Sequence, residues 1–542
     1  MSESWLLPSL MTAPEIGLTS ALFIPALTAI VLLVWDQINH ERVAAGGVAL
    51  TGIISLGLLA SSLSNANPSI NGGEFAPNIP IAFEVDLLGG ILGVIVTGAV
   101  LAGILAMSRY QHHRKSPMRR RTVAAMLATT AAALIVVYAG NLFILFIGLE
   151  VLTIVTYPLI VTEERTVTRR AGYTYLAFLF TAGLSFLIGM RVLYAEIGTL
   201  TFMSDGIPEL EALAVSDPWI ARAAFGLLLI GIATKAALIP LHSWFIRARM
   251  VPTPILGVIF AIIVLKIGSF TLARVILNVF GLETATVLEL GPPLLAFGLL
   301  TVLIAGLLAI GSARLLDRLL YLTLTGGALS FVAFGTIREY WMHWGIGFFP
   351  IHAGVLLVAF IGFSQLEVAD DHEDVRLGTI VGWLFVGVMV LVWLVGLMTF
   401  WFGSANLRGV IVILGLTAAI VAHILALWPV LIDPYLVYHP RRTMDDRLVI
   451  PPGAGVILTV ARSLHQVKVY LASEAERISV GAMRGIRAPG EALEMILPPR
   501  LESRYRIHRR HRLGEMGAKL GIEGSLYILA LVLAVGLFIG LM

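Results

Sequence analysis

Apolar runs long enough to cross a bilayer recur along nearly the whole chain, and they constrain its fold more than any other feature. A hydrocarbon core needs about 20 consecutive apolar residues per helix, and about 14 runs meet that need. They fall near 17–35, 43–62, 87–107, 122–139, 142–162, 171–194, 218–240, 254–277, 290–311, 319–337, 345–366, 377–401, 409–432 and 523–541. The expected fold is an all-α polytopic membrane protein. Composition agrees: 58% of the 542 residues are hydrophobic and only 13% are charged, against roughly 25% charged in soluble proteins. The first sixteen residues carry no basic region, and the run that follows is long enough to be a span. No cleavable signal peptide is therefore expected.

There is no cysteine, which removes disulfides, zinc thiolate sites and iron–sulfur ligation by this chain. No Walker loop and no strand–GxGxxG–helix unit is present. No cofactor, resident metal, nucleic-acid partner or catalytic site is expected in the chain itself.

The loops between runs sort into two sets. RYQHHRKSPMRRR (109–121), EERTVTRR (163–170), Arg247 with Arg249, and Arg314 with Arg318 are basic; 63–86, 195–217 and 278–289 contain no Lys or Arg. The positive-inside rule puts the basic set in the cytoplasm. With an even number of spans, both termini then lie outside, in a multi-pass protein of the cell's inner (plasma) membrane. Residues 433–522 form a long cytoplasmic segment in this scheme. Within it VILTVARSLHQVKVYLASEAERI (456–478) alternates apolar and basic faces at helical spacing. Such a helix lies at the interface or packs on a partner. The cluster RYRIHRRHR (504–512) suits anionic lipid or enforces topology.

Charges inside spans are costly, at roughly 2.5–3.5 kcal/mol each near a helix centre. Lys235 interrupts GLLLIGIATKAALIP, Lys266 interrupts ILGVIFAIIVLKIGSF, and Glu150 interrupts NLFILFIGLEVLTIV. A buried lysine with a nearby carboxylate can lose and regain a proton near neutral pH, so Glu150, Lys235 and Lys266 are candidates for a proton relay. The bland alternative is a salt bridge that only locks two helices. Pro158, Pro240, Pro252 and Pro254 fall at span ends or breaks, and broken helices expose backbone to internal cavities. His242, two residues after Pro240, is a candidate to pass a proton onward.

GNLFILFIGLEVLTIVTYPLIV, followed by ATKAALIPLHSWFIRARMVPTPILGVIFAIIVLKIGSF, resembles the antiporter-like membrane subunits shared by Mrp-type sodium/proton antiporters, respiratory complex I and membrane-bound hydrogenases. That family has an NLF…E stretch in its fifth span, a K-A…P-x-H-x-W stretch ending the seventh, and an APTP-like turn opening the eighth with a lysine inside. SARLLDRLLYLTLTGGALSFVAFG (312–335) resembles its tenth span, with the polar positions weakened. VLKIGSF looks most like the D-type Mrp subunits. The resemblance implies about 14 helices with two inverted five-helix repeats, spans 4–8 and 9–13, with broken helices in spans 7 and 11. It also implies that Glu150 modulates Lys235 and that Lys266 bridges the two halves. On this scheme residues 1–121 hold spans 1–3, 122–277 the first half-channel, 290–432 a divergent second repeat, 433–522 the cytoplasmic segment with its amphipathic helix, and 523–542 the last span.

The second half departs from the family's pattern. His352, in GFFPIHAGVLL, matches the family's eleventh-span histidine, but 377–401 contains no ionisable residue; His423, in TAAIVAHILAL, is the other ionisable candidate. The resemblance implies a proton- or cation-translocating subunit of a multi-subunit complex, Mrp-like first. Its expected partners are other membrane subunits, protons, Na+ as a candidate coupling ion, and anionic lipid. Proton-pumping subunits of complex I-like or hydrogenase-like redox complexes, inorganic-carbon uptake complexes, a non-conducting scaffold, and a haem subunit ligated by His352 and His423 are the alternatives.

Overall fold

The computed structural model describes residues 12–35, 37–113, 120–161, 166–312, 314–366 and 407–432, with 387, 388, 391 and 394. The expected span at 377–401, the segment 433–522 with its amphipathic helix, the basic cluster 504–512 and the last span at 523–541 lie largely or wholly outside the described residues. Among those residues, eleven helices are long and apolar enough to cross a membrane. In chain order the helices are α1 (Ala13–Val34), α2 (His40–Leu63), α3 (Leu87–His113), α4 (Arg120–Val137), α5 (Leu142–Ile160), α6 (Thr166–Ile197), short α7 (Pro208–Ser216), α8 (Pro218–Lys235) and short α9 (Ser243–Arg247). Then follow α10 (Thr253–Phe280), short α11 (Leu282–Val287), α12 (Gly291–Gly311), α13 (Leu315–Gly335), α14 (Glu339–Leu366) and α15 (Leu407–Ile432). Each helix that matches an expected span does so to within a few residues, because burying backbone polar groups in hydrocarbon forces the helix to fill the apolar run.

Polar residues set several helix starts. The Thr12 N–H donates to Glu15 Oε2 at the head of α1. Asn39 accepts from Arg42 N at α2, and Asp217 accepts from Ile220 N at α8, with Pro218 in the first turn. Asn141 works in two directions: its Oδ1 caps α5 through Ile144 N, and its Nδ2 donates to Pro80 O. Side-chain oxygens at such positions satisfy N–H groups that have no partner inside the helix.

The first of the loops without Lys or Arg, 63–86, holds a hairpin. Strands β1 (Ser69–Ala76) and β2 (Ile79–Glu84) pair antiparallel. They turn at Pro77–Asn78, where Asn78 takes a positive φ of 56°, a conformation that asparagine tolerates better than most residues. The three loops without Lys or Arg meet at this same end of the molecule. Tyr194 Oη donates to Pro77 O, Phe202 N bonds Gly140 O, Met203 N bonds Asn278 O, and Ile207 N bonds Val279 O.

The centre of the bundle is α10 and α13. In the most apolar stretch of each, every residue is buried, whereas only a third of that stretch of α1 is. α10 is not uniform: Leu256–Val264 and Val275–Phe280 are wound as π-helix around an α-helical Leu265–Arg274, a local winding that recurs at functional sites. α14 packs on α10, α13 and α3, and α12 packs on α13 and α15. The break expected in span 11 is absent: α14 runs unbroken through Pro350. Proline removes only one intrahelical bond, and the turns on either side continue the helix.

Candidate functional site

The break in span 7 is where the sequence places it, and the amides from Ala236 to Ile239 are hydrogen-bonded inside the protein. α8 ends at Lys235. Leu238 N bonds back to Ala233 O and Ala237 N to Thr234 O, the paired bonds of a Schellman terminus. Its left-handed position is filled by Ala237, φ 54°, where glycine is usual. Trp244 Nε1 donates to Thr234 O, and Ile239 N donates to Thr301 Oγ1 on α12. Non-helical backbone at membrane depth persists only when satisfied inside the protein in this way. Lys235 is thus the last helical residue, where the helix dipole favours a cation. Gly268 of α10 lets the break pack close: a Cβ there would stand 2.6 Å from Ala236 N.

Lys235 is 3% exposed and Glu150 4%. Lys235 Nζ donates to the Leu149 carbonyl at 2.6 Å and to Thr153 Oγ1 at 2.5 Å. Glu150 Oε1 stands further off, at 3.8 Å. The carboxylate and the amine are an ion pair without a direct hydrogen bond, since charge-assisted N–H···O contacts run near 2.7–2.9 Å. Beside them is a small internal space bounded by Glu150, Gly183, Gly231, Lys235 and Thr271, with room for about one water molecule.

Lys266, also 3% exposed, lies on α10. Its Nζ meets His352 Nδ1 of α14 at 2.5 Å, and Phe348 lies under both groups, 5.7 Å from the amine and stacked on the imidazole at 5.0 Å. His352 Nε2 is buried with no hydrogen-bond partner among the described residues. His423 on α15 is fully buried, and its Nδ1 is 2.8 Å from Ala419 O. His242 is half-buried just past the break, its ring 6.4 Å from that of Tyr321 on α13. The candidate residues thus form a Glu150–Lys235 pair and a Lys266–His352 pair, with His423 buried on α15 and His242 set to one side. Thr153, which holds Lys235, is not among the residues that the sequence singles out; its place one turn beyond Glu150 is the available signal.

Arg274, near the end of α10, is a further buried charge inside a span. Its guanidinium takes Asp86, just before α3, in a bidentate grip at 2.6 and 2.7 Å, reaches Asn278 Oδ1 at 3.2 Å, and lies over Phe202 and Phe270. Asp86 also accepts from Gly89 N. Burial pushes the Asp86 carboxyl up, but attraction and hydrogen bonding from Arg274 and the Gly89 N–H outweigh it and hold its pKa below the usual value. At the other end Arg249 pairs with Asp317 at 3.1 Å, and Arg318 spans from Ser312 O to Ala426 O, tying α13 to α15.

Comparison with known proteins adds the lineage. Residues 139–377 match the family described as NADH:quinone oxidoreductase/Mrp antiporter, TM. A NADH-quinone oxidoreductase subunit N of Geotalea uraniireducens is 40% identical over 125 residues, 22% of this chain and 25% of the relative. A probable K(+)/H(+) antiporter subunit of Rhizobium meliloti is 25% identical over 366 residues, 65% of this chain and 66% of the relative. The matched stretches therefore span from a quarter to just under two thirds of these relatives. In fold, a chain of the Mrp complex from Dietzia sp. DQ12-45-1b superposes with a TM-score of 0.65 at 17% identity, over 86% of this chain and 96% of that one. Over residues 139–377 this chain is similar to the membrane subunits that Mrp antiporters share with NADH:quinone oxidoreductase, and its fold is that of a chain of the Mrp complex.

Proposed function

We propose that the chain is a proton- or cation-translocating subunit of a multi-subunit membrane complex, most simply an Mrp-like cation/proton antiporter. Protons pass along Glu150, Lys235 and Lys266 and leave by way of His352 and His423, with His242 serving the approach to Lys235. The complex sits in the cell's inner membrane with the basic loops in the cytoplasm and both termini outside, and Na+ or K+ is the exchanged ion.

One observation carries the reading: Glu150, Lys235, Lys266 and His352 all lie in the protein interior, and Lys266 touches His352. Buried ionisable groups in spans are expensive and cluster on ion pathways. The Lys266–His352 contact also extends the row into the second half of the chain, where 377–401 offers no charge. The similarity to the Rhizobium antiporter protein over 366 residues supports the antiporter reading.

The test is proton flux driven by an imposed cation gradient, in vesicles holding the assembled complex. Lys235→Ala and Lys266→Ala each abolish most of the flux while assembly is unchanged. Wild-type flux in both variants would instead identify a scaffold.

A further inference from the structure

We propose that Gly183 sets the distance between Glu150 and Lys235, and with it the strength of their pairing. The inference rests on the relay reading above and names a positioning residue within it.

Gly183 on α6 faces the end of the Glu150 side chain. A Cβ built there would lie 2.5 Å from Glu150 Oε1, 2.7 Å from its Cδ and 2.8 Å from Oε2, and these are its three nearest neighbours. The methyl of an alanine therefore meets the carboxylate before anything else. A carboxylate at the end of a flexible side chain gives way more easily than a helix backbone, so the helices stay and the carboxylate moves. The space beside it lies between Ala182, Gly183 and Phe186 of α6 and Gly231 and Lys235 of α8, so a carboxylate pushed off α6 crosses that space toward α8 and the amine. Wild-type Lys235 is held by Leu149 O and Thr153 Oγ1, with Glu150 Oε1 at 3.8 Å. Closing that gap turns a loose pair into a hydrogen-bonded one. The attraction varies inversely with distance and is magnified where water is excluded. A relay needs Lys235 to be released from its partner at some stage; the bare α6 backbone at position 183 keeps that release within reach.

Two other glycines give contrasts. A Cβ at Gly231 would strike the Ala182 carbonyl at 2.8 Å, a backbone collision that spreads α6 from α8, whereas a Cβ at Gly226 meets nothing within 4 Å.

The experiment compares Gly183→Ala, Glu150→Asp, Gly183→Ala with Glu150→Asp, and Gly226→Ala in the assembled complex. Flux and thermal stability are measured on the same membranes. Gly183→Ala assembles and melts as wild type does but loses flux by about 10–100-fold, the scale of a misplacement near 1 Å. Gly226→Ala matches wild type. Glu150→Asp draws the carboxylate back from the methyl, so the double variant recovers to the flux of Glu150→Asp alone. If Gly183→Ala fails to assemble and Glu150→Asp restores assembly, the clash with the carboxylate is confirmed. Wild-type flux in Gly183→Ala, or a double variant with less flux than Glu150→Asp alone, overturns the inference while Lys235→Ala still abolishes flux. Full flux in Lys235→Ala overturns the relay itself.

Discussion

The Asp86–Arg274 pair allows a quantitative test of how this fold is held together. Arg274 is 5% exposed at its side chain and Asp86 is 33% exposed, so the two partners are not equivalent. Asp86→Asn keeps the side-chain oxygen that caps α3 through Gly89 but removes the charge, leaving a guanidinium inside the bundle with Asn278 and two aromatic rings for company. Removing one partner of a buried pair costs about 3–5 kcal/mol. Partial access of water to Asp86 and the residual ring contacts reduce this to about 2–3 kcal/mol. Arg274→Met removes the buried charge and leaves a carboxylate that water reaches, so it costs less, about 1–2 kcal/mol. The double variant is more stable than the sum of the singles by about 2 kcal/mol. The assay is unfolding in mixed micelles titrated with SDS. Coupling under about 0.5 kcal/mol, or Arg274→Met costing more than Asp86→Asn, refutes the reasoning. The pH dependence follows from sign. The Asp86 pKa is held below its ordinary value of 3.8, so its contribution is complete above that pH and is lost as pH falls through the folded value. The gap between wild type and Asp86→Asn is constant at neutral pH and closes only in strong acid.

Other perturbations report on other parts of the structure. Ala237→Gly relieves the left-handed alanine at the end of α8 and stabilises by about 1 kcal/mol, seen in the same SDS titration. Thr301→Val strips the acceptor from Ile239 N and costs about 1–3 kcal/mol by leaving a buried N–H unbonded. Arg249→Ala breaks a pair whose arginine is 35% exposed; it costs less than about 1 kcal/mol and has little effect on the unfolding midpoint.

Much of this architecture is legible in the sequence because hydrocarbon allows few options. Apolar run length gives the helices, and a lysine followed five residues later by Pro240 gives the break after Lys235. What escapes the sequence is long-range placement. Nothing in the stretch around Arg274 names Asp86, 188 residues away, as its partner. Nor does 63–86, read as a connecting loop, announce that its strands pair and that Asn141 ties them to α5. Pro350 shows the limit of a local rule: proline weakens a helix everywhere, but packing on α10, α13 and α3 decides whether the helix ends there. The 3.8 Å gap between Glu150 and Lys235 is likewise invisible in sequence, because it depends on a glycine in a different helix.

The full enclosure of α10 has an evolutionary consequence. A helix at the rim, such as α1, has a stripe that the rest of the chain leaves uncovered, and there one aliphatic residue can replace another at little cost to the fold, so substitution tolerance along it should rise and fall with each turn. Thr253–Phe280 has no such stripe. A saturation scan across it should return a flat, intolerant profile without the rhythm of about 3.6 residues that a one-sided helix shows, and change there is expected to arrive in compensated pairs with neighbouring helices.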